Sequence, residues 1–361
     1  MKQDHKEKET AFSAVRKCIR LKNGTRIFEE DDELVFVRSY GKAVSVQNNP
    51  IVLRLIEKMQ QCGEKTKITR ELANEFSLEE EWTRKLVEDL IAAGVIETYT
   101  RAITDLDLYS RYETQLSFLD LLQPVSSVEE KMNWQLSLGR IHIVIVGVGG
   151  IGNYVALSLA AMGIGRLTII DGDTIELSNL NRQVIFNESD RGEKKAQRVV
   201  EKIKALQGSC QAHCIDEMIR TKENAELYIL NDGEPDLVFI CADQPVELPV
   251  WINEIASQHH FPFIKCSYQG TTGFIGPIIE PEGKLFSELV EMINDIDDAV
   301  IISQHNRMIR HASSSPSNAI FANLAVLESI KYLLKMPGVN ILERRMFFDL
   351  EKMTIHYDDV V

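Results

Sequence analysis

Two regimes of hydrophobic patterning divide the chain. Up to residue 100 the apolar positions come in short runs. Cys18–Leu21, Thr25–Phe28, Glu33–Arg38 and Lys42–Gln47 are separated by Asn23-Gly24, the acidic turn Glu29–Asp32 and Gly41, which predicts a small antiparallel sheet. Pro50–Gln61 then spaces Ile51, Leu53, Leu55, Ile56 and Met59 as a helix, and Thr69–Phe76 and Glu79–Ala93 follow as two more before Gly94 and a strand Val95–Tyr99. Strands, three helices and a closing strand make the layout of a winged helix-turn-helix. From Arg140 the pattern changes. Ile141–Val146 is a continuous apolar run, as in a strand buried on both faces, and a glycine-rich turn leads from it into a helix Asn153–Met162. Leu167–Ile170, Leu237–Cys241 and Phe263–Cys266 read as further strands, with helices Lys194–Leu206 and Val250–His259 between them. This alternation predicts a parallel, doubly wound sheet with its ligand at the carboxyl ends of the strands.

Composition narrows the picture. The 361 residues suffice for two domains. The balance of 40 Lys+Arg against 54 Asp+Glu gives a net charge of −14, which argues against nonspecific nucleic-acid binding. The winged-helix layout would ordinarily suggest DNA, but residues 1–100 hold 17 Lys+Arg against 18 Asp+Glu and lack the basic footprint that DNA requires. No apolar run approaches the roughly 20 residues of a bilayer span, and the charged start Met1–Thr10 carries no apolar signal region, so a cytoplasmic protein without a membrane partner is expected. The six cysteines have no disulfide-framework spacing, in keeping with a reducing compartment.

The candidate chemistry begins at Gly147-Val148-Gly149-Gly150-Ile151-Gly152, a G-x-G-x-x-G run between strand and helix. Gly147, Gly149, Gly150 and Gly152 would let backbone amides approach phosphate at a helix N-terminus. Asp171, at the end of the next strand, is placed to accept hydrogen bonds from a ribose. By themselves these features imply only an adenine nucleotide, with NAD the commoner choice.

The following run, Asp171-Gly172-Asp173-Thr174-Ile175-Glu176-Leu177-Ser178-Asn179-Leu180-Asn181-Arg182-Gln183, resembles the D-x-D-x-[VI]-x-x-S-N-L-x-R-Q motif of the E1-like adenylating superfamily. That family includes the sulfur-carrier activators, the microcin C7 enzyme and the adenylation domains of ubiquitin E1. The resemblance extends over about 105–335. It implies that Asp171, Asp173, Asn179, Arg182, Gln183 and Lys195 (in Gly192-Glu193-Lys194-Lys195) bind the nucleotide. It also implies that Asp243, in Cys241-Ala242-Asp243, organises Mg²⁺, and that Arg111, in Tyr109-Ser110-Arg111, reaches the triphosphate, in homodimers from the partner. Attack of a carboxylate on the α-phosphate brings two anions together, and Arg111, Arg182, Lys195 and Mg²⁺ on Asp243 would supply the compensating charge. Hydride transfer needs no such cluster, which disfavours an NAD oxidoreductase.

The departures are informative. Most homologues close a structural zinc site with two C-x-x-C pairs, but the stretch Lys284–Glu288, where the first should fall, has no cysteine, so zinc is not expected. Cys210 and Cys214 read as packing or surface residues, Cys241 and Cys266 as small buried hydrophobes, and His259 and His260 as capping or surface residues. In the polar loop Glu288–Ser317, His305, Arg307, Arg310 and His311 could bind substrate carboxylates or simply be solvated.

The N-terminal layout resembles the PqqD-like recognition element of ribosomal-peptide-modifying enzymes, which binds a precursor leader by strand addition. The expected organisation is a frayed 1–12, a PqqD-like winged-helix domain of α+β class over 13–100, a helical arm over 101–138, and a Rossmann-like, mostly parallel α/β adenylation domain over 139–361. The fusion is similar to E1-like enzymes that mature peptide antibiotics of the pantocin A kind. It implies ATP- and Mg²⁺-dependent adenylation of a side-chain carboxylate of a ribosomal precursor peptide, Glu above others, followed by intramolecular capture with loss of water and CO₂, in a homodimer. Three other readings stand beside it: adenylation of a peptide C-terminus as for microcin C7, activation of a sulfur carrier, and a non-catalytic leader-binding scaffold.

Overall fold

The computed structural model describes residues 17–39, 42–61, 63–104, 106–281, 312–342 and 344–359. The expected frayed N-terminus, His305, Arg307, Arg310, His311 and the Lys284–Glu288 stretch lie outside them. The chain divides into two compact units, Met1–Leu136 and Ser137–Val361.

In the first unit the strands are β1 (Cys18–Leu21), β2 (Arg26–Glu30), β3 (Glu33–Ser39), β4 (Lys42–Gln47) and β5 (Ile96–Tyr99). They form two sheets rather than one: an antiparallel β2-β3-β4 meander and a separate antiparallel β1-β5 pair in which Ile19 faces Thr98. Three helices lie between β4 and β5. They are α1 (Pro50–Gln60), capped by Asn49 accepting from the Ile51 and Val52 amides, α2 (Lys65–Phe76) and α3 (Glu80–Ala92). Their apolar faces converge on one core in which Ile19, Phe36, Leu55, Leu72, Val87 and Ile96 are buried. α2 starts four residues before the apolar period suggests, because Lys65, Thr66 and Lys67 are polar and only Ile68 of the added turn enters the core.

The helices α4 (Asp107–Leu122) and α5 (Val128–Leu138) were expected as a connecting arm; α4 and most of α5 fall in the first unit, held to its strands by buried charge. Asp120, fully buried, accepts from Lys22 Nζ at 2.9 Å and from Arg38 at 2.6 Å, while Glu97 pairs with Arg20 at 2.9 Å and with Lys131. Burial alone would push Asp120 upward, but the Val125 amide and the Lys22 ammonium hold it below the usual carboxylate range.

The second unit is built on one eight-stranded sheet in the order β13-β12-β11-β10-β9-β6-β7-β8. Strands β6 (His142–Val146), β7 (Arg166–Ile170), β8 (Gln211–Ile215), β9 (Leu237–Ile240) and β10 (Phe263–Gln269) run parallel. β11 (Thr272–Ile279), β12 (Arg344–Asp349) and β13 (Thr354–Asp359) continue the sheet antiparallel. Every residue of β6 and β9 is buried, as their unbroken apolar runs require. The helices are α6 (Gly150–Ala161), α7 (Lys195–Leu206), α8 (Lys222–Ile229), α9 (Leu248–His259) and α10 (Ser315–Leu333). Ser315–Ser317, expected at the end of a loop, form the first turn of α10, which Ser314 caps. Chain order reverses at β6, with β7 on one side and β9 on the other, which opens a crevice at their carboxyl ends. Among the described residues no helix is long and apolar enough to cross a membrane.

Candidate functional site

A cavity of about 990 Å³ occupies that crevice and lies entirely within the second unit. One wall is the glycine loop. Gly147 has φ +87°, and a Cβ there would come within 2.9 Å of the Ala242 nitrogen, so the position demands glycine for both conformation and space. A Cβ on Gly152 would lie 1.9 Å from the Gly147 carbonyl oxygen; this glycine lets α6 pack against the loop and does not line the cavity. At Gly149 the nearest atom to an added Cβ is Gln183 Nε2 at 3.9 Å, so the missing side chain leaves room on the cavity wall. Gly150 is covered by Asn318 of α10, 2.7 Å from where a Cβ would be. Among the described residues no side chain caps α6, which leaves its first-turn amides open to an anion.

Asp171, at the end of β7, braces this loop. One oxygen accepts from the Val148 amide at 2.8 Å and the other from the Asp173 amide at 2.9 Å. Burial raises its pKa above the ordinary value against the pull of Lys195 and both amides. Each oxygen retains a lone pair for a further donor. Asn153 of α6 fastens the loop from below, donating to the Gly149 and Gly150 carbonyls at 2.7 and 2.6 Å.

The segment after Asp171 supplies the polar wall. Asn179 Oδ1 accepts from the Glu176 amide at 3.0 Å, fixing the turn Leu177–Asn179 within this segment. Arg182 Nη1 donates to the Ser178 carbonyl at 2.6 Å and to Asn181 Oδ1 at 3.0 Å. Gln183 is 2% exposed, and its Oε1 has no partner among the described residues. Lys195, 5% exposed at the start of α7, pairs with Asp173 at 2.8 Å. Asp243, beyond the end of β9, stands exposed on the opposite wall.

Thus Gly147, Gly149, Gly150, Asp171, Asp173, Asn179, Arg182, Gln183, Lys195 and Asp243 share one cavity. Arg111 belongs to α4 of the first unit, where its guanidinium lies 5.6 Å from the Tyr112 ring centroid. Asp243 shares the cavity with other carboxylates but belongs to no group of three or more His, Cys, Asp or Glu that could hold a metal among the described residues. That suits Mg²⁺, which takes one or two carboxylates together with phosphate oxygens. The thiols are poor nucleophiles: burial pushes Cys266 up to about 12, Cys210 up to about 11, and Cys241 well above its usual value.

Residues 119–360 match the ThiF family. The chain belongs to that family, within the E1-like adenylating superfamily. This ThiF-family chain is 29% identical over 259 residues to ubiquitin-like modifier-activating enzyme 5 of Dictyostelium discoideum, a match covering 68% of the chain and 64% of the relative. It is 34% identical over 159 residues to the adenylyltransferase and sulfurtransferase MOCS3 of Drosophila yakuba, covering 43% and 32%. The chain therefore spans less than two thirds of either relative's length. Among solved structures, the microcin C7 biosynthetic enzyme MccB in complex with N-formylated MccA superposes with a TM-score of 0.75 at 22% identity, covering 95% of this chain and 97% of that one. PaaA superposes at 0.74, also at 22% identity, covering 94% and 99%. Both likenesses show the fold.

In this ThiF-family site the structure adds residues that motif reading misses. Lys265 of β10 and Ser313, just before α10, line the cavity, and Asn318 of α10 both lines it and covers the loop. Ser313 falls at the end of the polar stretch expected as a loop near the site, and Lys265 shows as a charge inside an apolar strand; Asn318 leaves no such trace. Burial pulls the Lys265 ammonium pKa down, against the upward effect of Asp243.

Proposed function

We propose that the protein adenylates a carboxylate of a ribosomally made precursor peptide at the expense of ATP, and that intramolecular capture of the acyl adenylate closes a ring in the peptide. What carries the reading is one cavity at the switch point of the sheet that gathers an uncapped helix N-terminus, Asp171, Arg182, Lys195 and Asp243. In this reading Asp171 receives the ribose hydroxyls, and the open amides of α6 take the α-phosphate. Arg182 and Lys195 exchange their present partners, the Ser178 carbonyl and Asp173, for phosphate oxygens. Asp243 would hold Mg²⁺, which neutralises charge on the leaving pyrophosphate. The peptide carboxylate oxygen bonds to the α-phosphorus as the bond to pyrophosphate breaks. A nucleophile of the same peptide then displaces AMP.

The first unit, with its meander and three helices, would hold the leader. The second copy of a homodimer would contribute Arg111. The structural likeness to MccB keeps a second reading in view, in which the peptide C-terminus is adenylated and the nucleotide is retained.

The test is intact mass of peptides from short reading frames beside the gene, after incubation with enzyme, ATP and Mg²⁺. Loss of water, with or without CO₂, together with AMP release is the expected result. A gain of AMP on the peptide selects the second reading. Release of ADP in place of AMP removes both.

A further inference from the structure

β10 carries one charge within an apolar run. Phe263, Ile264 and Cys266 are buried, whereas Lys265 turns into the cavity, with Ser267 two residues on lining the same wall. Opposite this point the antiparallel ladder slips. Ile264 pairs with Ile278 and Cys266 with Ile275, so two residues of β11, Gly276 and Pro277, face the single Lys265. Bulges of this kind bend the strand that carries the extra residue, here β11, and interrupt its pairing at Lys265.

Desolvating an ammonium is costly unless an anion meets it. Among the described residues no side-chain hydrogen bond or ion pair reaches the Lys265 ammonium, and Asp243 acts on it only through space. The other cations of the cavity are engaged: Lys195 pairs with Asp173, and Arg182 bonds the Ser178 carbonyl. Position then separates Lys265 from the nucleotide cradle. It pairs in register with Ile240 of β9, and β9 stands between it and β6. The walls therefore follow in the order Asp171 after β7, the glycine loop after β6, Asp243 after β9, and Lys265 on β10. Adjacent strands lie about 4.8 Å apart, which puts β10 roughly 10 Å from the loop strand. A nucleotide with its ribose at Asp171 and its α-phosphate on the loop leaves the β10 end of the cavity to the second reactant.

We infer that Lys265 binds the carboxylate that is adenylated, its ammonium pairing with one carboxylate oxygen beside Asp243 and so offsetting the repulsion between acceptor and phosphate. This rests on the adenylation reading above. The lysine keeps its protons; the carboxylate oxygen forms the bond to the α-phosphorus, and the bond to pyrophosphate breaks with the electron pair leaving on pyrophosphate.

The test compares full-length wild type, Lys265→Met and Lys265→Arg. Calorimetry with ATP and Mg²⁺ gives the nucleotide Kd and checks the fold. Pyrophosphate exchange with N-acetyl-L-glutamate α-methylamide, which offers the side-chain carboxylate alone, gives the acceptor KM. The expected result for Lys265→Met is an ATP Kd within about twofold of wild type and an acceptor KM raised at least about tenfold, the worth of one charge-assisted hydrogen bond. Lys265→Arg should recover most of that loss. An acceptor KM unchanged in Lys265→Met overturns the inference and leaves adenylation standing. An ATP Kd weakened as much as the acceptor KM also overturns it and makes Lys265 a phosphate ligand. Wild type that binds ATP yet exchanges no pyrophosphate with this carboxylate removes side-chain adenylation and the inference together.

Discussion

At the scale of single residues, two glycines of one motif separate fold from ligand. Gly152→Ala would force a Cβ onto a backbone oxygen 1.9 Å away, and an overpacking cost of about 2–3 kcal/mol or more is expected, read as a lowered midpoint in urea. Gly149→Ala meets nothing closer than 3.9 Å; its urea midpoint should stay within experimental error while its affinity for ATP falls, because the methyl takes room on the cavity wall. Arg182→Ala and Asp243→Ala should each lower the rate of AMP formation at least about 10²-fold with the fold intact, since each is asked to stabilise charge in the transition state. Wild-type rates in both would overturn their placement in the chemistry. The glycine loop and the Asp171–Gln183 run could be read directly because they are contiguous and their spacing carries their geometry. Asn318, Ser313 and Lys265 could not, since only tertiary folding brings α10 and β10 to the loop.

At the scale of elements, the same contrast divides the sheet. β6, β7 and β9 are buried on both faces, so unbroken apolar runs reveal them, and their observed ends fall within a residue or so of expectation. β8, β11, β12 and β13 escaped notice for physical reasons. β8 (Gln211–Ile215) is only partly buried, β11 is interrupted by Gly276-Pro277, β12 has charges at both ends, and β13 ends in Asp358-Asp359.

In the first unit the element that matters is the buried charge joining α4 and α5 to the strands. Asp120 answers Lys22 and Arg38 and lies near Lys131, which also pairs with Glu97, so Asp120→Ala would leave Lys22 and Arg38 facing a void. A loss of about 3–5 kcal/mol is expected, measured as the midpoint of the earliest transition in urea. The same carboxylate fixes an acid limit. Its folded pKa lies below the unfolded value near 4, so its contribution is complete above that value and is lost as pH falls through the folded one. Thermal melts taken from neutral pH downward should hold steady to about pH 4 and then decline, and the decline should be shallower in Asp120→Ala.

At the scale of the whole molecule, Arg111 and the cavity belong to different units, and the homodimer reading makes that separation functional. Mixing two inactive variants, Arg111→Ala and Asp243→Ala, should restore up to about a quarter of wild-type activity if the arginine comes from the partner, because half the random dimers would own one complete site. An unrestored mixture would place Arg111 in its own subunit's chemistry or outside it.

The brace at Asp171 has a consequence of another kind. With both its oxygens already bonded to amides, the phosphate loop is shaped before any nucleotide arrives, so binding should demand little ordering and show a correspondingly small entropic penalty. The Val148 amide hydrogen should then exchange slowly with deuterated solvent in the nucleotide-free protein. In Asp171→Asn, where an amide nitrogen can take the place of the accepting oxygen, that protection should fade and ATP should have to organise its own cradle.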